Sequence, residues 1–284
     1  MLCKFLSMRN SSFIFIALLF MGCNDSDTKK GTSPQVKKDT DELPKELPYN
    51  AILTLETHKF NAENCDVPMM DEMEYSEDWC NRRTVKLLHV NTKNPEIADR
   101  INALIARKIT GNKGGTGAIQ KYVNEVKRNA GEMEDMAQED VVCSVIDSSN
   151  LVLSYGIDRY YFAYGAAHGS STFEAINFDL RTGNQILLSD LFYDEDIYAL
   201  TKLAKSKFIN QNGRDGWWFT TDEQPFELPK VFSLSPRGIT FYFQEYEVGP
   251  YAAGRPTVKI SKENLKGLIR ENPYMVFEEP NPSK

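Results

Sequence analysis

The sequence is poor in histidine and cysteine, and it lacks an excess of positive charge. Only three of its 284 residues are histidine and five are cysteine. Since none of them stands at the short spacing that a zinc site needs, we expect no metal and no cofactor. Lysine and arginine number 33 against 40 aspartates and glutamates, a formal net charge of −7. This balance argues against nucleic-acid binding, because displacing counterions from phosphates requires a basic face.

The sequence also lacks an apolar run of about 20 residues, the length needed to cross a bilayer as a helix. The apolar run near the N-terminus, Phe13 to Met21, has nine residues and follows the positive Lys4 and Arg9. It ends at Gly22-Cys23, an arrangement that resembles the bacterial lipoprotein signal. We therefore predict a signal peptide over residues 1–22 and lipid attachment at Cys23. A plain secretory signal with an incidental Cys23 is the alternative.

Residues 24–48 are dominated by Asp, Lys, Ser, Thr and Pro and contain no aromatic residue. This composition is typical of a solvated linker, so residues 23–48 are predicted to be a lipid-anchored flexible tether. Removal of residues 1–22 takes away Lys4 and Arg9 and changes the formal net charge to −9. We expect the mature protein at the cell envelope, anchored to a bacterial membrane on its periplasmic or surface face, with the outer membrane favoured.

Processing leaves three cysteines, at positions 65, 80 and 143, in an oxidising compartment. Cys65 and Cys80 flank an acidic, Met-rich segment and are the candidate disulfide. Cys143 lies in the apolar run Val141 to Ile146 and is expected to be a buried free thiol. The other pairings stay open, because spacing alone does not determine connectivity.

The remaining chain indicates an α+β fold with mostly antiparallel strands. Residues 49–135 read as strand, strand, helix, helix, in a small unit that precedes the main domain. Asn94-Pro95 begins the first helix and Gly111 ends it. Residues 136–270 read as a larger, mostly antiparallel sheet with two or three helices. One long strand is predicted over residues 141–154, and a hairpin turn at Arg181 to Asn184. Residues 271–284 are expected to be a frayed tail.

Two segments carry a resemblance to a known family. They are GAAHGSSTFEAINFDLRTGNQILLSDLF at 165–192 and FYFQEYEVGPYAAGRPTVKISKENLKGLI at 241–269. They resemble the extracellular domain of RsiV-type anti-sigma factors, which bind lysozyme, and the non-catalytic N-terminal region of some peptidoglycan deacetylases. The resemblance covers residues 50–270 and implies a binding module. Sigma-factor regulation is not carried over, since only about ten residues precede the apolar run. Deacetylase activity is not carried over either, because the histidines are scattered.

Aromatic residues near glycines are the candidates for a binding surface. This predicted surface consists of His168, Trp217, Trp218, Tyr246, Pro250 and Tyr251. The tryptophans form either an exposed platform or a lid over the core. His168 is expected to be a turn residue, with a general base beside Ser170 or Ser171 as the alternative. His58 and His89 are expected to be half-buried in strands.

These features favour a non-catalytic lipoprotein that binds a protein such as lysozyme, or a peptidoglycan-derived ligand. The alternatives are an envelope hydrolase that uses His168 and a purely structural envelope protein. The sequence does not determine the oligomeric state.

Overall fold

The structure is a computed structural model that describes residues 53–65, 80–111, 114, 117–128, 137–213, 218 and 225–275. All of these residues belong to one compact unit. Within the described ranges, no helix combines the length and the apolar character needed to span a membrane. The predicted signal peptide, Cys23 and the tether lie outside the described residues.

The larger sheet has six strands in chain order. They are β1 (Thr54–Asn64), β2 (Asn81–Asn91), β3 (Ala137–Ser148), β4 (Val152–Ala163), β5 (Ser170–Asp179) and β6 (Gln185–Ile186). β2 and β3 are parallel, and every other neighbouring pair in this sheet is antiparallel. The mostly antiparallel α+β class predicted from the sequence is confirmed. The β2–β3 pairing joins the two predicted units in one sheet, and a division at residue 135 stays a prediction.

Two helices between β2 and β3 share a core with one face of this sheet. They are α1 (Pro95–Thr110) and α2 (Ala118–Asn124), and α2 continues as a 3-10 turn, Glu125–Arg128. The Asn94 side chain accepts a hydrogen bond from Glu96 N at 3.0 Å, and Gly111 ends α1 in a left-handed conformation, both as predicted. The core that they share with the strands includes Ile101, Ile105, Val123, Val141, Tyr155 and Phe178.

The second sheet and the later helices form a second core. The strands are β7 (Val231–Ser235), β8 (Gly238–Tyr242) and β9 (Thr257–Ser261), all antiparallel. The helices are α3 (Leu188–Leu191), α4 (Ile197–Asn212) and α5 (Lys262–Leu265). Alternate residues of the strands are buried against α4, whose Leu200, Ala204 and Phe208 are fully buried. This alternation is what a sheet with one buried face requires.

Buried polar side chains join the two sheets. Asn177 on β5 donates from Nδ2 to Phe232 O at 2.9 Å and accepts at Oδ1 from Leu234 N at 2.8 Å. The Ser154 hydroxyl on β4 also contacts Asn177 Oδ1, at 2.6 Å. The Asn177 side chain therefore pairs with the backbone of β7 as a neighbouring strand would, which accounts for a buried polar residue on β5.

Other polar residues of the 165–192 segment are structural too. The Asp190 carboxylate accepts from Leu187 N at 2.7 Å and so caps α3. Asp179, which is 5% exposed, accepts from Arg181 and, at 3.0 Å, from the Tyr274 hydroxyl. Met275 is buried as well. Residues 271–275 thus pack on the domain, which differs from the frayed tail expected there.

Three further expectations have a structural outcome. The disulfide Cys65–Cys80 is present at the paired ends of β1 and β2, and Cys143 is a buried free thiol, so both predictions are confirmed. The strand predicted over 141–154 is wrong. Ser149 Oγ accepts from the backbone amides of Leu151 and Val152, which makes a turn between β3 and β4. The run Asp147 to Asn150 favours that turn.

Candidate functional site

His168 lies on the turn that joins β4 to β5 and is exposed to solvent. The turn begins with a hydrogen bond from Ala166 N to Ala163 O at 3.1 Å. Gly169, the next residue after His168, is covered by Tyr160, and a Cβ at Gly169 would come within 2.3 Å of the Tyr160 hydroxyl. The absence of a side chain at Gly169 thus leaves room for the Tyr160 ring over its backbone.

The segment between β8 and β9, residues 243–256, is tied to the free edge of β5. β6 pairs with only Asn177 and Phe178 of that edge. Further along, Gln244 Oε1 accepts from Phe173 N at 2.9 Å and Gln244 Nε2 donates to Phe173 O at 2.8 Å. Glu245 Oε2 accepts from Ser171 N at 3.0 Å. The two side chains replace a strand partner and bring the segment next to His168.

This docking brings Tyr246 and Tyr251 into contact with His168. The rings of His168 and Tyr251 are stacked, with centroids 4.2 Å apart and an interplanar angle of 25°. The rings of Tyr246 and Tyr251 are 5.8 Å apart. The Tyr246 hydroxyl lies 3.4 Å from His168 Nε2, and His168 Nδ1 lies 2.8 Å from Gly169 O. A backbone carbonyl only accepts, so Nδ1 is the donor in its contact with Gly169 O. We call these three residues the aromatic surface.

Tyr246 adopts an unusual backbone conformation. Its φ of +64° makes it the one positive-φ residue other than glycine among the described residues. It is the third residue of a turn that Glu247 N closes on Gln244 O at 3.2 Å. Glycine usually occupies such a position, since a Cβ there costs roughly 1–2 kcal/mol. The ring is nevertheless 53% exposed, so packing of the side chain does not account for this strain.

Pro250 and Trp218 have supporting positions. The carbonyl of Pro250 accepts from Ala253 N at 2.8 Å and so begins the single 3-10 turn that carries Tyr251. Trp218 packs edge-on against buried Phe208, with ring centroids 4.9 Å apart, and it touches Gly249, where a Cβ would lie 3.1 Å from the indole. Trp218 therefore covers the core, as in the lid alternative, and lies between Phe208 and the segment that carries the two tyrosines. Trp217 lies outside the described residues.

The described contacts of His168 do not resemble those of a general base. Its two ring nitrogens face a tyrosine hydroxyl and a backbone carbonyl. A serine nucleophile on one nitrogen and a carboxylate on the other would be the expected arrangement for catalysis. The Ser171 amide is bonded to Glu245, which ties this serine's backbone to the neighbouring segment.

The other histidines lie elsewhere. His58 on β1 and His89 on β2 have ring centroids 5.3 Å apart, and His89 Nε2 lies 3.4 Å from Asn102 Nδ2. The His58 side chain is 43% exposed, close to the half-buried position expected for it. In the part of the chain that the structure describes, no three His, Cys, Asp or Glu side chains gather closely enough to hold a metal ion.

A buried ionic cluster that the sequence did not reveal stabilises the junction of the helices and the sheet. Glu139 on β3 forms ion pairs with Arg83 and Arg159 and accepts from the Tyr122 hydroxyl at 2.6 Å. Burial acts to raise the pKa of Glu139, but the Tyr122 hydrogen bond and the two guanidinium charges outweigh it, and the pKa is lowered. Burial, together with Glu139, raises the pKa of Tyr122 to about 12. Every member has a partner, so this cluster is structural.

Comparison with known proteins supports the fold. Residues 189–263 match the family described as "Protein of unknown function (DUF3298)". A solved DUF3298 family member from Bacteroides fragilis NCTC 9343 is 19% identical, with a TM-score of 0.63 over 78% of this chain and 96% of that chain. A solved DUF3298 family protein from Pseudomonas aeruginosa PAO1 is 18% identical, with a TM-score of 0.55 over 76% of this chain and 95% of that chain.

No curated protein gives a significant match. The matched segment includes Tyr246 and Tyr251 but not His168, and the low identities support the fold alone. Residues 189–263 therefore match the DUF3298 family, and the chain has a fold similar to that of solved proteins of this family.

Proposed function

We propose that this protein is a non-catalytic, lipid-anchored protein of the bacterial cell envelope that binds a protein partner through the aromatic surface. One observation carries the proposal. Three exposed rings, from two separate segments of the chain, are held in one cluster by the hydrogen bonds that join those segments. Nothing in the core requires these rings to be there, since Tyr246 and Tyr251 are 53% and 38% exposed.

The aromatic surface has the properties of a protein-binding hot spot. Tyrosine offers a large amphipathic contact area and loses little conformational entropy on binding. Here the rings are already ordered by His168, so less ordering remains to be done in the complex. The strained backbone of Tyr246 supports the same interpretation, because exposed strain without a packing reason is typical of functional positions.

The charge of the chain favours a basic partner. The mature chain, cut before Cys23, would have a formal net charge of −9. Glu245 and Glu247 flank Tyr246 in the sequence, and their carboxylates accept from Ser171 N and Gln244 N, so the segment that carries Tyr246 is acidic. Complementary charge increases the rate of encounter and discriminates against wrong partners. A lysozyme-like protein fits this description, and the resemblance to lysozyme-binding domains supports it.

A peptidoglycan-derived ligand is the second candidate. The same rings present apolar faces, and the Tyr246 hydroxyl beside His168 Nε2 offers a hydrogen-bonding group at their edge. This combination of an aromatic face and polar groups also suits a sugar.

Calorimetry of residues 49–284 with hen egg-white lysozyme, and separately with purified muropeptides, tests the proposal. We expect binding at micromolar or lower concentration to one of the two, and Tyr251→Ala should weaken it about 30-fold, the effect of a hot-spot residue. Tyr198→Ala is the matched control, because Tyr198 on α4 is 69% exposed and lies outside the aromatic surface. Absence of binding to both probes, or equal losses in both variants, would contradict the proposal.

The lipid anchor and the absence of catalysis have their own tests. Metabolic labelling with a palmitate analogue should label the full-length protein, and Cys23→Ala should abolish the label. If the alternative of an envelope hydrolase were correct, His168→Ala would abolish turnover of envelope substrates while leaving the melting temperature unchanged. We expect no turnover in the parent protein.

A further inference from the structure

A second candidate site lies on the outward face of the β7–β8–β9 sheet. A groove of about 460 Å³ runs between this face and the end of β3. Its volume lies within the range of small-molecule sites, about 300–1,000 Å³. The groove and the aromatic surface share no residue.

The alternation of the strands makes this face polar. Phe232, Ile239 and Val258 point into the second core. The opposite face presents Ser233, Thr240 and Lys259 in one cross-strand row, because Ser233 pairs with Thr240 and Thr240 pairs with Lys259. Side chains that face each other across strands lie about 5 Å apart, close enough for one ligand to touch all three.

Five of the twelve residues that line the groove carry a hydroxyl group. The Tyr242 hydroxyl lies 2.9 Å from Ser233 Oγ, and Ser235, Thr240 and Ser261 add three more hydroxyls. Ser235 Oγ already donates to Gly238 O and accepts from Arg237 N, so Thr240 and Tyr242 are the hydroxyls best placed for a ligand. A hydroxyl both donates and accepts, which suits the hydroxyl groups of a sugar. Ile146 and the ring of Tyr242 add apolar surface for the C–H face of such a ligand.

The charges of the groove are unequal. Asp147 forms an ion pair with Arg237 at 3.0 Å. It follows the irregularity in the register of β3 after Val145. Among the ion pairs of the described residues, none uses the Lys259 ammonium, although its backbone N–H donates to Gln211. The groove thus offers an unneutralised cation in a protein whose overall charge is negative.

We propose that this groove binds a saccharide that carries a negatively charged group, with Lys259 contacting the charge and Thr240 and Tyr242 contacting the hydroxyls, while buried Ser233 orients the Tyr242 hydroxyl. The charged group is a carboxylate or a phosphate, since an ammonium pairs with either as a point charge. The groove is independent of the proposed protein-binding function.

An NMR titration of the folded domain distinguishes the ligand sources. The probes are glucose 6-phosphate, glucuronate, uncharged glucose and inorganic phosphate. We expect saturable shifts of the Ser233, Thr240 and Lys259 amides with glucose 6-phosphate, glucuronate or both. Glucose and inorganic phosphate should each bind more weakly, because each supplies one half of the recognised chemistry.

Variants test the role of the lysine. Lys259→Gln should weaken the charged saccharide about two- to fivefold, the range for an exposed ion pair, and Lys259→Arg should restore binding. Lys266→Gln is the control, since this exposed lysine lies outside the groove. The proposal is overturned if no probe gives saturable shifts there, if inorganic phosphate binds as tightly as the charged saccharide that binds best, or if Lys259→Gln matches Lys266→Gln. Equal melting temperatures of the variants exclude a folding defect.

Discussion

Substitutions at Tyr246 separate the free-energy cost of its strained backbone from the contribution of its ring to binding. Its φ of +64° places the backbone of Tyr246, a residue with a Cβ, in the left-handed region. Such a conformation costs roughly 1–2 kcal/mol for a residue other than glycine. A glycine removes that cost but loses about 0.4–1 kcal/mol through the greater freedom of the unfolded chain. The balance predicts that Tyr246→Gly is more stable than Tyr246→Ala by about 0.5–1 kcal/mol.

The comparison of these two variants isolates the backbone, because both lack the ring. The ring's contacts with His168 and Tyr251 are lost equally in each variant, so they cancel in the difference. Urea unfolding followed by circular dichroism measures the two free energies of unfolding. Both variants should lose partner binding to the same extent. If Tyr246→Gly were no more stable than Tyr246→Ala, the positive φ would not be a source of strain and the argument from strain would fail.

Three further predictions concern stability. Glu139→Gln should lower the free energy of unfolding in urea by about 2–3 kcal/mol, because Arg83 and Arg159 lose the carboxylate that neutralises them. The loss is smaller than for a fully buried ion pair, since both arginines are partly exposed. Because the pKa of Glu139 is lowered, its carboxylate stabilises the folded state at pH values above the unfolded-state pKa of about 4.3, and this stabilisation is lost as pH falls through the folded-state pKa. The loss of stability in acid should therefore be smaller in Glu139→Gln than in the parent protein. The double variant Cys65→Ser/Cys80→Ser should lose about 3 kcal/mol, as expected for opening a closed loop of about 15 residues, with Cys143→Ser as a single-cysteine comparison.

Local features of the fold were predictable from the sequence. Asn94, Pro95 and Gly111 determine the ends of α1 through short-range hydrogen bonds and allowed backbone angles. The turn at Arg181 to Asn184 joins β5 to β6, as its Thr-Gly-Asn sequence indicates. These features depend on neighbouring residues, so a pattern of a few residues is sufficient to find them.

Non-local features were not predictable. The parallel pairing of β2 with β3 joins residues such as Arg82 and Gln138, and no short pattern encodes that distance. The polar pairing of Asn177 with β7 needs the second sheet to be in place. The turn between β3 and β4 is a local exception: the polar run Asp147 to Asn150 favours it, but the apolar residues that flank this run, Ile146 and Leu151, also fit one continuous strand.

The candidate site was partly predictable. The sequence singled out His168, Tyr246 and Tyr251 as aromatic residues near glycines, and the structure brings all three together. It did not reveal Gln244, whose amide replaces a strand partner on β5, because that role depends on how far β6 extends. Trp218 was also a candidate, and its contact with Phe208 shows that adjacent aromatics in a sequence do not always share a surface.

Chemical-shift mapping of the complex tests the central claim most directly. With the lysozyme or muropeptide that binds in calorimetry added to the labelled domain, the account predicts the largest amide shifts at His168, Tyr246 and Tyr251. It also predicts that these shifts disappear in Tyr251→Ala and persist in Tyr198→Ala. A footprint confined to α4 or to another face of the domain, with the aromatic surface unchanged, would contradict the account.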